Sequence, residues 1–241
     1  MRLQTAEHWA LLFDFDGTLV HLKRRPDNVR LSKRARRILE RLVSIRTNFV
    51  AIVSGRRYRN LRDMVGIEGV HYFGLHGAER DGKSTAVCEE QKRALLHAKR
   101  VAGLQLKNLP GIWIEDKGIS FAVHYRDAGA TMIRAAERVL THILAPLRHA
   151  LQVLRGNRVW EVLPKGISGK GGAVRAILDA LPPGTITIYV GNDETDEAAF
   201  AVLTKEITVR VGRTRTTRAQ FYVRNPTEVL HLLSRLEKGL P

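Results

Sequence analysis

Three short apolar runs, at residues 9–13, 49–53 and 186–190, each end abruptly in polar or glycine-bearing residues. Each is about five residues long, the length of a buried strand and far short of the ~20 that cross a membrane. Unbroken apolar runs of this kind suit strands covered on both faces, as in a parallel sheet. Helical patterns separate them. Leu31, Ala35, Ile38, Leu39, Leu42 and Val43 recur at helical spacing, with Arg34, Arg37 and Arg41 on the other side and Ser32 placed as an N-cap. A helix over 57–65 and a strand over 71–75 continue the series. Further on, helices over 170–181, 194–203 and 226–238 alternate with strands over 185–190 and 207–211. The alternation predicts an α/β fold, a doubly wound parallel sheet with helices on both faces.

The middle of the chain breaks this rhythm. Helices are expected over 89–106 and 130–144, and strands over 112–115, 119–125, 151–154 and 158–163. Tight turns at Asp116-Lys117-Gly118 and Arg155-Gly156-Asn157 join the strands into hairpins. This describes a small α+β unit with an antiparallel sheet, inserted into the doubly wound one. The expected division is a core of 1–81 with 161–241 and an inserted domain of 82–160.

Composition narrows the function classes. With 44% hydrophobic and 27% charged residues among 241, the chain is not a disordered one. A lone cysteine, Cys88, excludes an internal disulfide and a cysteine-based zinc site, and fits a reducing, cytoplasmic setting. The polar motif at Asp14 lies so near the start that no cleaved leader is expected. Forty Lys+Arg against 24 Asp+Glu give +16. That charge raises nucleic acid as a partner, but the arginines are scattered from Arg2 to Arg235 and aromatics are only 6%, poor material for base stacking. A solvated basic surface that attracts anionic substrates is the expectation, with neither nucleic acid nor membrane as partner.

In an open parallel sheet, functional groups gather beyond the carboxyl ends of the strands. Four such places carry polar residues of one kind here: Asp14-Phe15-Asp16-Gly17-Thr18, Ser54-Gly55-Arg56, Lys170 at a helix start, and Gly191-Asn192-Asp193-Glu194-Thr195-Asp196. Carboxylates, a hydroxyl, a lysine and glycine-rich turns suit metal-assisted phosphoryl transfer. Hard oxygen ligands hold Mg²⁺, a carboxylate can attack phosphorus, and a hydroxyl, an ammonium and helix N-termini bind phosphoryl oxygens. Asp14 and Asp16 side by side repel each other and are costly without a cation or a task.

The Asp14-to-Thr18 segment resembles the DxDGT signature of the haloacid dehalogenase superfamily of phosphatases, and Ser54, Lys170 and the 192–196 cluster follow in that superfamily's order. The resemblance implies a Rossmann-like core with an inserted cap of the C2 type. It makes Asp14 the nucleophile and Asp16 the acid and then the base, a pair of roles suited to a carboxyl whose surroundings raise its pKa toward neutrality. It implies that Ser54 and Lys170 hold the phosphoryl group, with Thr18 and Gly55 beside the substrate. It places Mg²⁺ on Asp14, on Asp16 through its carbonyl, and on the 192–196 cluster. There the usual aspartate after the glycine is Asn192, which removes one negative charge; Asp193 or Asp196 is expected to compensate.

More specific segments resemble the trehalose-6-phosphate phosphatases. These are Gly74-Leu75-His76-Gly77-Ala78-Glu79, Glu115-Asp116-Lys117-Gly118, Val123-His124-Tyr125-Arg126, Trp160-Glu161-Val162-Leu163-Pro164, and the run from Gly191 to Phe200. The resemblance spans roughly residues 11–211. It implies hydrolysis of trehalose 6-phosphate, with Glu115, Lys117, Arg126 and Glu161 on the disaccharide, Arg56 and His76 joining from the core, and Asn157 beside them. Carboxylates accept from sugar hydroxyls, and Arg or Lys donates to sugar oxygens. It also brings in a trehalose-6-phosphate synthase as a candidate partner, and a cap that closes to exclude water. Sucrose phosphate and mannosyl-3-phosphoglycerate stay open as alternative substrates, and a non-catalytic basic binding protein on the same fold stays open as another class. His124 and the three tryptophans are given no role.

Overall fold

The computed structural model describes residues 7–23 and 29–239. The chain begins with β1 (Trp9–Phe13), α1 (Lys33–Ser44), β2 (Asn48–Val53), α2 (Tyr58–Val65) and β3 (His71–Gly74), and then a short hairpin of β4 (Glu79–Arg80) and β5 (Lys83–Ser84). Its middle holds α3 (Glu89–Leu106), β6 (Trp113–Asp116), β7 (Phe121–His124), α4 (Ala130–Leu144), β8 (Leu151–Gly156) and β9 (Val159–Pro164). It closes with α5 (Gly169–Leu178), β10 (Ile186–Gly191), α6 (Glu194–Val202), β11 (Ile207–Val211), β12 (Phe221–Val223) and α7 (Pro226–Gly239). The contacts divide it into two compact units: residues up to Ser84 with those from Ser168 on, and Thr85–Ile167.

The larger unit carries a sheet in the order β12-β11-β10-β1-β2-β3-β4-β5. Its strands are parallel from β12 to β3, and β4 and β5 add an antiparallel edge. Because side chains alternate along a strand, β1 serves two cores. Leu11 and Phe13 pack with the buried Ala35, Ile38, Leu39 and Leu42 of α1 and with Val229 and Leu233 of α7. Leu12 packs on the opposite face with Val174 and Ile177 of α5 and with Phe200 of α6. Each such fully buried leucine or phenylalanine contributes roughly 1.5–3 kcal/mol relative to exposure. Ser32 caps α1 as expected, its Oγ accepting the Ala35 N–H at 3.1 Å.

The smaller unit has an antiparallel sheet in the order β6-β7-β9-β8, covered on one face by α3 and α4. Its limits differ from the expected 82–160. Strand β9 runs through residue 160 and pairs on both sides, with β7 and with β8, so Glu161 belongs to this unit rather than to the larger one. The last hairpin also turns later than expected, at Asn157-Arg158, where Arg158 takes φ 64 in a two-residue loop. Cys88 is a free, exposed thiol. No helix among the described residues is long and apolar enough to cross a membrane.

Candidate active site

The candidates divide between the two units. In the larger one, Asp14 directly follows β1, and its backbone N–H donates to the Val190 carbonyl of β10 at 2.9 Å. Lys170 stands in the first turn of α5 and donates Nζ to Asp14 Oδ1 at 2.6 Å and to Asp196 Oδ1 at 2.8 Å. All three groups are buried, at 4%, 3% and 0% exposure. Asp196 also accepts from the Tyr189 hydroxyl at 2.7 Å and from the backbone N–H groups of Asn192 and Asp193 at 2.9 and 2.8 Å.

Burial pushes the Asp14 carboxyl up from 3.8 to about 7, against the pull of Lys170 and with a further push from Asp196. Burial also works against charge on Asp196, but Lys170 and the donors on both its oxygens outweigh it and hold that carboxyl below its ordinary value. Lys170 is raised: burial opposes its charge, and the two carboxylates overcome the opposition. Burial and Asp196 lift the Tyr189 phenol well above its usual range, so it stays a proton donor. The expectation that Asp196 ligates a metal is therefore corrected. Its oxygens are committed to Lys170, Tyr189 and the start of α6. Asp193 likewise caps α6, accepting the Glu194 N–H at 2.6 Å.

Asn192 faces Asp14 instead. Its side-chain amide lies against Asp14 Oδ2, the Asp16 carbonyl and Thr18 Oγ1, at 2.9, 2.8 and 3.1 Å; in one orientation its nitrogen donates to Asp14 and the Asp16 carbonyl, and in the other its oxygen accepts from the Thr18 hydroxyl. A Cβ on Gly17, which sits at φ 88, would collide with this amide. Two carboxylates share one ammonium here, and a second full negative charge in this buried place is disfavoured, as the raised Asp14 carboxyl reflects. With the amide oxygen on the Asp14 side, Asn192 brings it together with a carboxylate oxygen and a carbonyl oxygen. That donor set fits a hard divalent cation such as Mg²⁺. Among the described residues, no three His, Cys, Asp or Glu side chains are placed to hold a metal by themselves; the fit depends on the carbonyl and the amide.

Asp16 is paired with a cation. Arg56 donates Nε to Asp16 Oδ2 at 2.6 Å and Nη2 to Oδ1 at 2.7 Å. Ser54 directly follows β2; the parallel register of Phe13 with Ile52 sets Val53 opposite Asp14 and Ser54 one residue beyond. Its Oγ accepts the Arg56 N–H at 3.2 Å, which leaves the hydroxyl proton for another acceptor. Gly55 lies under the buried His76 ring, where a Cβ would be 2.8 Å from the imidazole. His76 takes φ 58, and its N–H donates to the Ser54 carbonyl at 2.8 Å. Asp14, Asp16, Thr18, Ser54, Gly55, Arg56, His76, Lys170 and Asn192 thus form one connected cluster.

In the smaller unit, the Lys117 ammonium donates to Glu161 Oε2 and the Ser120 hydroxyl to Oε1, each at 2.8 Å. Glu115 meets His124 Nε2 at 2.8 Å. Arg126 and Asn157 meet at one end of the sheet, Nη2 donating to the Asn157 carbonyl at 3.0 Å. Sequence reasoning missed Ser120, Tyr189 and His124. The alternation of β10 could flag Tyr189 only as a buried ring, since its partner Asp196 lies on another element.

A trehalose-phosphatase family model matches residues 12–227. The chain is 32% identical to a trehalose-phosphate phosphatase of Mycobacterium bovis over 249 residues, covering 96% of this chain and 62% of that protein. It thus spans less than two thirds of the length of the mycobacterial relatives it matches. The fold matches the C-terminal domain of the trehalose-6-phosphate phosphatase of C. albicans, with a TM-score of 0.84 at 23% identity over 100% of this chain and 96% of that one. It also matches the Aspergillus fumigatus trehalose-6-phosphate phosphatase, with a TM-score of 0.66 at 25% identity, over 98% of this chain and 95% of that one.

Proposed function

The chain belongs to the trehalose-phosphatase family, and from that premise we propose that it is a Mg²⁺-dependent phosphatase that hydrolyses trehalose 6-phosphate through a phosphorylated Asp14. One observation carries the reading: Lys170 holds one Asp14 oxygen at a strand end, and the Asn192 amide lies between the other Asp14 oxygen and the Asp16 carbonyl. A bound Mg²⁺, held by Asp14, the Asp16 carbonyl and Asn192, would neutralise phosphoryl charge and help keep Asp14 ionised.

The chemistry then follows from the chain's own groups. An Asp14 carboxylate oxygen bonds to phosphorus as the bond to the sugar oxygen breaks, and Asp16 gives that oxygen its proton. Water next attacks the aspartyl phosphate, Asp16 takes a proton from it, and phosphate leaves with Asp14 restored. Lys170 and the Ser54 hydroxyl hold phosphoryl oxygens. Arg56 orients Asp16 through its two parallel donors. In the smaller unit, Lys117 and Glu161 hold each other in place, and with Glu115 they supply acceptors and a donor for sugar hydroxyls.

Phosphate release with Mg²⁺ across trehalose 6-phosphate, sucrose phosphate, mannosyl-3-phosphoglycerate and glucose 6-phosphate tests this. The expected result is a preference for trehalose 6-phosphate that is abolished by Asp14→Asn. A preference for another sugar phosphate overturns the substrate, and an active Asp14→Asn overturns the nucleophile.

A further inference from the structure

The sheet of the smaller unit has one face turned away from its helices. Phe121, Val123, Trp160 and Val162 pack with α3 and α4. By alternation, Trp113, Glu115, Ala122, His124 and Glu161 lie on the opposite face. There the Trp113 indole lies flat on the His124 imidazole, with centroids 3.8 Å apart and planes 10° apart. The imidazole cannot turn freely, because its Nε2 is bonded to Glu115 Oε2 at 2.8 Å. Trp113 is nonetheless 43% exposed, while Trp9 and Trp160 are 2% and 3% exposed. One indole face is thus spent on a fixed partner and solvent reaches the rest. Glu115 stands two residues along the strand on the same face, about 7 Å away. Arg126 and Asn157 pair near the strand ends on the other side of the stack.

A rigid flat apolar ring edged by hydroxyl acceptors and donors suits a particular chemistry. A pyranose offers C–H groups on its faces and hydroxyls around its rim, so one face can cover the ring while the rim meets carboxylate and guanidinium. Resting on the function proposed above, we propose that Trp113, backed by His124, is a stacking platform for a glucose ring of the disaccharide and a determinant of selectivity for disaccharide over monosaccharide phosphate. Glu115 has a double part: it fixes the imidazole under the platform and accepts from a hydroxyl at its edge.

The test uses the full chain with Mg²⁺. Trp113→Ala is expected to raise the KM for trehalose 6-phosphate about tenfold with little change in kcat, so that preference over glucose 6-phosphate falls by about the same factor. Trp113→Phe, which keeps a flat ring, is expected to retain most of the preference. A readout apart from activity is tryptophan emission on titration with trehalose. The wild type should respond through Trp113, and Trp113→Phe should not. Unchanged selectivity in Trp113→Ala, or an emission response that survives in Trp113→Phe, overturns the platform. A wild type that binds trehalose through Trp113 yet releases no phosphate from trehalose 6-phosphate overturns the function and leaves the platform standing. If Trp113→Ala fails to fold, the phenylalanine variant and the titration still decide.

Discussion

Arg56 closes its guanidinium fork on Asp16, with Nε and Nη2 each within 2.7 Å of a carboxylate oxygen. The two residues lie 40 positions apart, at the ends of neighbouring strands. A lysine at 56 keeps the charge but cannot present two parallel donors. Arg56→Lys is therefore expected to lower kcat/KM about tenfold by loosening the aim of Asp16, while Asp16→Asn removes proton transfer itself and costs on the order of 10²–10⁴ in kcat. Steady-state phosphate release on both variants checks this. Equal losses would mean that Arg56 does more than aim Asp16.

Lys170 is the ammonium bonded to two buried carboxylates. Removing it strands Asp14 and Asp196 without it, a change of a kind that typically costs about 3–5 kcal/mol. Lys170→Met should unfold at markedly lower urea concentration, and adding Asp196→Asn should recover part of the loss by removing one of the stranded charges. A Lys170→Met protein as stable as the parent would show that the pair is not electrostatically coupled as described.

Much of this site was legible in the sequence because the parallel sheet places its functional groups at strand ends, and short apolar runs mark those ends directly. Asp14, Ser54 and the turn at Gly191 each follow such a run. What the sequence left unread lies in contacts between elements. Nothing local distinguishes Asp196 as a buried acceptor for Lys170 and Tyr189 from Asp196 as a metal ligand, since both uses call for a carboxylate at a helix start. The Arg56–Asp16 fork is similarly invisible, since its two residues lie 40 positions apart at the ends of different strands. Strands β4 and β5, two residues each, are too short to show a period, and β12 is a short edge strand with Phe221 and Tyr222 exposed. The limit of the smaller unit was drawn through the last strand of its own hairpin rather than after it; the pairing of β9 with β7 and β8 keeps that strand whole in one sheet.

Asn192 makes opposite demands with and without a cation. Free of metal, its amide can turn its nitrogen to donate to the Asp14 carboxylate and the Asp16 carbonyl. Asn192→Asp loses those donors and sets a third carboxylate against Asp14 and Asp196. The metal-free variant should melt at a lower temperature than the parent. With the extra ligand charge it should bind Mg²⁺ on the order of tenfold more tightly, so its melting temperature should rise more steeply with Mg²⁺. Calorimetric titration and thermal scans over a Mg²⁺ series measure both. A variant whose Mg²⁺ response matches that of the parent would remove residue 192 from the donor set.

Glu115 sets a pH dependence in the smaller unit. Burial works to raise its carboxyl, but the hydrogen bond from His124 and the charge of Lys117 outweigh it, leaving the folded value below the ordinary 4.5. The unfolded chain thus takes up this proton at a higher pH than the folded one. Between the two values the unfolded state holds more protons, so acid favours unfolding. The contribution is whole above about pH 4.5 and is lost as pH falls through the folded value. Glu115→Gln abolishes the titration. From about pH 5 down to about pH 3, the urea midpoint of the parent should therefore fall more steeply than that of Glu115→Gln, with the two curves parallel above about pH 5. Curves that stay parallel through the acid range would show that the bond to His124 does not favour the charged carboxylate.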